Sequence, residues 1–247
     1  MDRWQNRVAV VTGASSGIGA AIVRDLVQAD FIVAALARRK ELIEEIRNKL
    51  PKNQQDRLHA IRCDVTNLKS INETFDWIIQ KLGGVDVLVN NAGTLLPGQL
   101  LTMDVAKIQQ VLQTNVMGVV YCTQRAFKSM TERKFDGHIL VINSVLGHGI
   151  MPAPKHILPD LNIYPATKYA VTAISEILRQ ELKALGTNIK ITSISPGVTD
   201  TEILPESLKN MCKLQSEDIS AGVMYALSTP PTVRVHELTI KPIGENF

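Results

Sequence analysis

Short apolar runs alternate along the chain with longer segments in which apolar residues recur every three or four positions. The runs are nearly continuous in Val, Ile, Leu and Ala, which is typical of strands buried on both faces. They predict strands at residues 7–11, 31–36, 58–62, 85–89, 138–143, 189–194 and 235–240. The longer segments predict helices at residues 17–29, 40–50, 71–82, 105–130, 165–185 and 216–228.

This alternation predicts one α/β domain over residues 1–247. Strands joined by helices form βαβ units, and their right-handed crossovers give a parallel sheet with helices on both faces. We therefore expect a doubly wound (Rossmann) sheet of about seven parallel strands. Because ligands of such sheets bind at the carboxyl ends of the strands, the residues just after each strand are the candidates for a functional site.

Composition and charge exclude several other classes of protein. The chain has 247 residues, with 27 Lys and Arg against 24 Asp and Glu, and a formal net charge of +3. That balance does not favour a nucleic-acid partner, and no apolar run is long enough for a membrane span. Residues 1–4 lack the apolar block of a signal peptide. Cys63, Cys122 and Cys212 are scattered and odd in number, which favours reduced thiols in a cytoplasmic protein over disulfides or a metal site.

A glycine-rich turn separates the first predicted strand from the first predicted helix. Glycines permit a tight turn and the close approach of a pyrophosphate, while the helix N-terminus attracts negative charge. Since Ala20 follows the last glycine, the turn is not a Walker loop. A turn that only links strand to helix is the alternative to a nucleotide site. The candidate cofactor-binding residues here are Gly13, Ser15, Ser16, Gly17, Ile18 and Gly19.

The end of the second predicted strand indicates which nucleotide is bound. An acidic residue about 20 positions beyond the glycines would bind a ribose 2′-hydroxyl, whereas an arginine favours a 2′-phosphate. Arg38 and Arg39 occupy this place, and guanidinium groups pair well with phosphate. The sequence therefore favours NADP(H) over NAD(H). The alternative is a solvated basic start of the next helix.

Further motifs follow the later strands in a characteristic order. They are Asp64, the run Asn90-Asn91-Ala92-Gly93, Ser144, the pair Tyr164-x3-Lys168, and the turn Pro196-Gly197. Together with residues 12–19, this ordered set resembles the short-chain dehydrogenase/reductase family over essentially the whole chain. The opening residues and the glycine turn look closest to the subgroup of insect farnesol and antennal dehydrogenases and vertebrate dehydrogenase/reductase member 11.

The spacing of Tyr164 and Lys168 supports proton transfer. Residues four apart in a helix project from one face. A lysine ammonium, together with an oxidised nicotinamide, favours the phenolate, so Tyr164 can exchange a proton with an alcohol or carbonyl. Ser144 would hydrogen-bond the reacting oxygen. The resemblance assigns these catalytic roles to Ser144, Tyr164 and Lys168 and adds Asn115 as a proton relay to the lysine.

The resemblance also implies further cofactor contacts. Asp64 and Val65 would border the adenine, and Asn91, Ala92 and Gly93 would border its ribose. Tyr164 and Lys168 would contact the nicotinamide ribose. The turn that would hold the nicotinamide amide contains Pro196, Gly197, Val198, Thr199 and Thr201.

Two loops are expected to cover the substrate. The interval of 20 residues between Ser144 and Tyr164 is long for the family, and it places an irregular loop at residues 146–161. A second covering loop is expected at residues 202–213. With the segment 94–99, these loops contribute apolar side chains that suit a lipophilic ligand. The candidates are Leu95, Leu96, Leu146, Ile150, Met151, Ile157, Ile203, Leu204, Leu208 and Met211.

The expected activity is hydride transfer between NADP(H) and a lipophilic alcohol or carbonyl. The subgroup resemblance implies an isoprenoid alcohol such as farnesol, with steroid or retinoid carbonyls as alternatives. An epimerase or dehydratase using the same Tyr and Lys, and an NADP-binding scaffold without turnover, are the other readings of the site. By resemblance, the helices at 105–130 and 165–185 are expected to form a homodimer or homotetramer.

Overall fold

A computed structural model describes residues 1–152 and 159–245 of the chain. Within these residues a parallel sheet of seven strands has the order β3-β2-β1-β4-β5-β6-β7. The chain therefore builds the sheet outward from β1 in one direction and then returns to continue it from β4 in the other. The predicted doubly wound fold is confirmed. The strands are β1 (Val8–Thr12), β2 (Ile32–Ala37), β3 (Leu58–Arg62), β4 (Val87–Asn90), β5 (His138–Ile142), β6 (Lys190–Pro196) and β7 (Glu237–Ile240).

Helices connect the strands, and four of them (α1, α2, α7 and α8) start and end within one residue of the positions that the apolar spacing predicts. The helices are α1 (Gly17–Gln28), α2 (Lys40–Lys49), α3 (Lys52–Gln55), α4 (Leu68–Leu82), α5 (Val105–Leu112), α6 (Gly118–Glu132), α7 (Tyr164–Ala184) and α8 (Ser216–Ser228). Short 3₁₀ turns lie at Asp2–Trp4, Val145–Gly147 and Glu206–Leu208. In the part of the chain that the structure describes, no helix has the length and apolar character needed to cross a bilayer.

The central strands of the sheet are buried on both faces, and their apolar side chains alternate between two cores. Val11 of β1 packs into the core formed with α1 and α8, whereas Val10 packs into the core formed with α4, α6 and α7. Phe31 and Phe75 are fully buried, one in each core. This two-sided burial explains why the strands are continuously apolar in sequence.

Local sequence features set the start and the end of α4, the helix that connects β3 to β4. The Asn67 side chain caps the start of α4 by accepting a hydrogen bond from Ser70 N at 3.1 Å. Gly83 ends the same helix in a left-handed conformation, with φ of 89°. A residue with a side chain would be strained there, so glycine sets the position of the turn.

Several predicted elements differ from the structure in their bounds; for example, α4 begins at Leu68 and not at 71, and β6 continues to Pro196. The helix expected at 105–130 is interrupted by a π-helical segment at Gln113–Met117, where Gly118 N donates to Gln113 O. Strand β4 begins at Val87 and not at 85, because Val85 N donates to the Ser129 hydroxyl at 3.0 Å. Strand β7 is also shorter than predicted; it lies at the sheet edge, where alternate residues are exposed.

Candidate active site

The glycine turn between β1 and α1 is shaped so that a phosphate can approach its backbone. Gly13 and Gly17 have φ of +64° and +54°. A Cβ on Gly13 would lie 2.7 Å from Ala92 Cα, and one on Gly19 would lie 2.3 Å from Gly13 O. Helix α1 begins at Gly17, so its positive N-terminal end lies in this turn. The geometry fits the pyrophosphate of a dinucleotide.

Hydrogen bonds between the ends of β1 and β4 hold this turn in place. The Thr12 hydroxyl oxygen accepts from Asn91 N and Ala92 N, each at 3.0 Å. The Asn91 carboxamide donates to Thr12 O at 2.9 Å and to Gly13 O at 3.1 Å. Asn91 therefore supports the turn through its side chain, in addition to lying where the resemblance implies a ribose contact.

One cavity of about 680 Å³ lies along the carboxyl ends of the strands. This volume is within the range of cofactor and ligand sites. All but two of the predicted catalytic and cofactor-binding residues line it, from the glycine turn and both arginines to Tyr164, Lys168 and the Pro-Gly turn. The two exceptions are Gly19, which packs beneath the turn, and Asn115.

Tyr164, Lys168 and Ser144 meet at the end of β5. Tyr164 is the first residue of α7, and Pro165 follows it in the first turn, where proline is favoured. The Lys168 ammonium lies 5.6 Å from the Tyr164 ring centroid and donates to Ile142 O at 2.9 Å. Ser144 accepts a hydrogen bond from Leu146 N at 3.0 Å, which leaves its own hydroxyl hydrogen to donate. These three side chains share one end of the cavity.

Burial shifts the pKa values of Tyr164 and Lys168 in the directions that favour the neutral form of each group. Burial raises the pKa of the Tyr164 phenol above its ordinary value. Burial also lowers the pKa of Lys168 to about 8. The phenol is therefore neutral at pH 7 in the protein alone, and stabilising the phenolate requires further positive charge near the ring.

Asn115 lies in the π-helical segment behind the cavity. Its carboxamide donates to Thr94 O at 3.0 Å and to the Thr167 hydroxyl at 3.1 Å, and it accepts from Thr94 N at 2.8 Å. The side chain thus joins the segment after β4 to α7, close to Lys168. Single-turn π segments are frequent at functional sites, because the extra residue redirects the local backbone.

The Pro-Gly turn after β6 is supported by a residue that sequence reasoning missed. The Glu245 carboxylate accepts from Val198 N at 2.9 Å and lies 3.2 Å from the Lys241 ammonium. The side chain of Glu245 is 0% exposed. A Cβ on Gly197 would lie 2.2 Å from a Glu245 oxygen, so the glycine is needed for this approach. No local sequence signal marks this contact.

The end of the cavity with the predicted adenine and 2′-phosphate contacts, named the nucleotide end for that prediction, contains Arg38, Arg39, Asp64 and Val65. The Asp64 carboxylate accepts from Thr66 N at 3.0 Å and from the Thr66 hydroxyl at 2.8 Å. The Arg39 side chain donates hydrogen bonds to the Glu202 carboxylate and to the Ser16 hydroxyl, which belong to other walls of the cavity. Glu202 was not among the predicted site residues, although it directly follows the predicted turn at Thr201.

The other end of the cavity, named the substrate end because the predicted covering segments lie there, is largely apolar. Of the predicted apolar residues, six line the cavity, whereas Leu96, Ile150 and Met211 are not among the lining side chains in the described part of the chain. Ile157 lies outside the described residues. Gln110 and Thr114 also line the cavity and were not predicted. The six are Leu95, Leu146, Met151, Ile203, Leu204 and Leu208.

The fold and the site are typical of a class of nucleotide-dependent oxidoreductases, and sequence comparison identifies the family within that class. A sequence profile described as short chain dehydrogenase matches residues 7–211. The chain belongs to the short-chain dehydrogenase/reductase family.

Particular relatives cover nearly the full length. Farnesol dehydrogenase of Aedes aegypti is 55% identical over 250 residues, which is 100% of each chain. Dehydrogenase/reductase SDR family member 11 of Homo sapiens is 39% identical over 255 residues, covering 98% of this chain and 96% of the relative.

Solved structures agree with the fold. The closed form of serine dehydrogenase complexed with NADP+ superposes with a TM-score of 0.85 at 30% identity, covering 97% of this chain and 96% of that one. An alcohol dehydrogenase from Thermococcus sibiricus, complexed with 5-hydroxy-NADP, gives a TM-score of 0.83 at 26% identity, covering 97% of this chain and 98% of that one.

The glycine turn generates a first prediction. Gly19→Ala places a Cβ against Gly13 O and the Asn91 carboxamide, so the turn must shift. We expect dinucleotide affinity, measured by isothermal titration calorimetry, to fall by at least about tenfold, or about 1.4 kcal/mol. Gly149→Ala is the matched control, since an added Cβ there has no neighbour within 4 Å among the residues that the structure describes. Equal affinities in the two variants would contradict the close-approach argument.

The buried lysine generates a second prediction. Its pKa is about 8 in the folded protein against 10.5 as the ordinary value, so between these pH values the unfolded chain binds more protons. Stability from this group therefore rises with pH through that interval and is lost as pH falls through about 8. From pH 7 to 9, the free energy of unfolding of the wild type relative to Lys168→Met should rise by on the order of 1 kcal/mol.

Urea unfolding at both pH values measures this difference. Lys209→Met provides the control, because the Lys209 side chain is 54% exposed and lies in a surface ion pair. A pH-independent difference between wild type and Lys168→Met would show that burial does not shift the lysine.

Proposed function

We propose that the chain is an NADP(H)-dependent oxidoreductase that transfers a hydride between the nicotinamide and a lipophilic alcohol or carbonyl. The preferred substrate in this proposal is an isoprenoid alcohol such as farnesol. The observation that carries it is the Tyr164–Lys168 pair beside Ser144, in one cavity with two arginines and a glycine turn whose shape fits a pyrophosphate. The relative named farnesol dehydrogenase, at 55% identity over its full length, supports the substrate class.

The proposed cofactor site runs along the strand ends. The N-terminus of α1 and the glycine turn would hold the pyrophosphate, and Arg38 and Arg39 would bind a 2′-phosphate. Lys168 has donors beyond the one it gives to Ile142 O, and these would bind the nicotinamide ribose. The bound nicotinamide supplies hydride transfer.

In this proposal, residues of the chain itself carry out the proton transfer. Tyr164 donates its hydroxyl proton to the carbonyl oxygen in reduction and accepts it back from the alcohol in oxidation. Ser144 donates a hydrogen bond to the same oxygen, which fixes its distance from Tyr164. The positive charge of Lys168 stabilises the phenolate, and Asn115 positions α7 through Thr167.

The walls of the substrate end favour a lipophilic ligand. Its aliphatic and thioether side chains come from the segments expected to cover the substrate, residues 94–99, 146–161 and 202–213. Steroid or retinoid carbonyls are the alternative substrates with the same chemistry. An NADP-binding scaffold without turnover is the alternative from another class, and the presence of both Tyr164 and Lys168 counts against it.

The proposal also includes a homo-oligomeric state and a cytoplasmic location for the protein. Tyr169 and Ile177 on α7 are 42% and 53% exposed, and Leu112 of α5 is 38% exposed. Such apolar exposure on α5 and α7 suits an isologous homodimer or homotetramer interface. The free thiols of Cys63, Cys122 and Cys212 suit a reducing cytoplasmic compartment.

Substitution of the tyrosine tests the proposed chemistry. Tyr164→Phe keeps the ring but removes the transferable proton, so turnover of farnesol with NADP+ should fall by about 10²–10⁴. Cofactor affinity should change little. Absorbance of the reduced nicotinamide measures the rate. Tyr169→Phe is the control on the same helix, and it should retain the wild-type rate. Undiminished turnover in Tyr164→Phe would assign the proton to another residue.

Substrate chain length tests the apolar walls. Each buried methylene contributes about 0.8 kcal/mol, so kcat/KM should rise by up to about fourfold per methylene across linear primary alcohols. Leu204→Ala should flatten this slope, because Leu204 lines the cavity. Leu101→Ala, at a residue 98% exposed, should leave the slope unchanged. A flat series in the wild type, or a preference for polyols, would contradict a lipophilic substrate.

A further inference from the structure

An ion pair crosses the nucleotide end of the cavity between two of its walls. Arg39 lies just after β2, and Glu202 follows the Pro-Gly turn after β6. Their Nη2 and Oε2 atoms are 2.7 Å apart. The Ser16 hydroxyl, in the glycine turn, donates to the same carboxylate oxygen at 3.1 Å and accepts from Arg39 Nη2 at 3.2 Å. Three segments distant in sequence thus meet at one carboxylate.

This arrangement fastens the start of the 202–213 segment to the glycine turn. A Cβ on Gly17 would lie 3.2 Å from Thr201 Cγ2, so the preceding residue also packs against the turn. Hydrogen bonds from Arg39 lower the pKa of the Glu202 carboxyl, which is therefore ionised at neutral pH. Glu202 consequently presents a full negative charge to Arg39 and Ser16.

A phosphate and this carboxylate require the same donors. Guanidinium groups bind both anions through the same N–H groups, and two anions on one cation repel each other. The Arg39 and Glu202 side chains are 53% and 56% exposed, so their pairing is weak enough to be exchanged for a phosphate. A cofactor with a 2′-hydroxyl has no anion to make this exchange.

We propose that Glu202 is a specificity-determining residue for the cofactor. In the free protein its carboxylate pairs with Arg39. When a 2′-phosphate binds Arg39, it displaces the Glu202 carboxylate, and the 202–213 segment is released from the glycine turn. This inference rests on the proposed NADP(H) dependence. It assigns to Glu202 two linked effects: a penalty on NADP(H) affinity and a coupling between the 2′-phosphate and the loop at the substrate end.

Binding measurements on the full chain test the first effect. Glu202→Gln removes the competing charge, so the Kd for NADP+ and for adenosine 2′,5′-bisphosphate should fall about twofold to fivefold. The Kd for NAD+ and for adenosine 5′-diphosphate should stay within twofold of the wild type. Glu206→Gln removes the same charge from the same segment, where Glu206 pairs with Lys209. This control should resemble the wild type for all four ligands.

Hydrogen exchange tests the second effect without turnover. In the free protein, amides of residues 201–208 should exchange faster in Glu202→Gln than in the wild type or Glu206→Gln. Adenosine 2′,5′-bisphosphate should raise the exchange of these amides in the wild type and leave the already fast Glu202→Gln variant unchanged. Unaltered exchange in Glu202→Gln, or equal shifts in affinity for all four ligands, would overturn the proposal.

The outcomes separate this inference from the proposed function. A wild type that prefers NADP+, with Glu202→Gln affecting every ligand equally, leaves the proposed function standing and removes the role of Glu202. A wild type that binds NAD+ more tightly than NADP+ contradicts the proposed cofactor itself, and with it the displacement by a 2′-phosphate.

Discussion

The site depends on a small set of hydrogen bonds that join the carboxyl ends of β1 and β4. Thr12, which is 2% exposed, accepts two backbone hydrogen bonds from the segment after β4, and Asn91 returns two to the backbone of β1 and the glycine turn. These strands are neighbours where the strand order reverses, so their connections diverge and leave a crevice. These hydrogen bonds, together with the one from Ala14 N to Leu36 O, hold the glycine turn against the ends of the neighbouring strands.

Burial on both faces of the sheet determines where polar chemistry can occur. Within the strands, the apolar side chains pack into two cores, and most of the polar side chains that line the cavity lie at or after the strand ends. Lys168 reaches the end of β5 from α7 and is buried there, which lowers its pKa to about 8. The same burial that fixes the geometry of the pair therefore opposes its charged forms. In the proposed chemistry, the charge of the cofactor offsets this cost.

Periodic and local features could be predicted from the sequence, and long-range contacts could not. The apolar runs locate all seven strands, and the pattern is most direct in the central strands, because these are buried on both faces. The π segment at Gln113–Met117 leaves none, since one extra residue in a turn scarcely disturbs the spacing of apolar positions. The contacts of Glu202 with Arg39 and of Glu245 with Val198 join residues 163 and 47 positions apart. Only the folded chain brings them together, so motif order predicts the cavity but not these two carboxylates.

The two carboxylates hold the Pro-Gly turn and the segment beyond it with unequal strength. The side chain of Glu245 is fully buried; its carboxylate accepts the hydrogen bond from Val198 N and pairs with Lys241, whose side chain is 36% exposed. Glu202 is more than half exposed, and such surface pairs contribute less than about 1 kcal/mol. The backbone at Val198 is therefore fixed on the side away from the cavity, whereas the segment after Thr201 is held by a contact that an anion can replace. In the proposed function, the turn that would hold the nicotinamide therefore stays fixed, while the adjoining segment would respond to an anion that binds at Arg39.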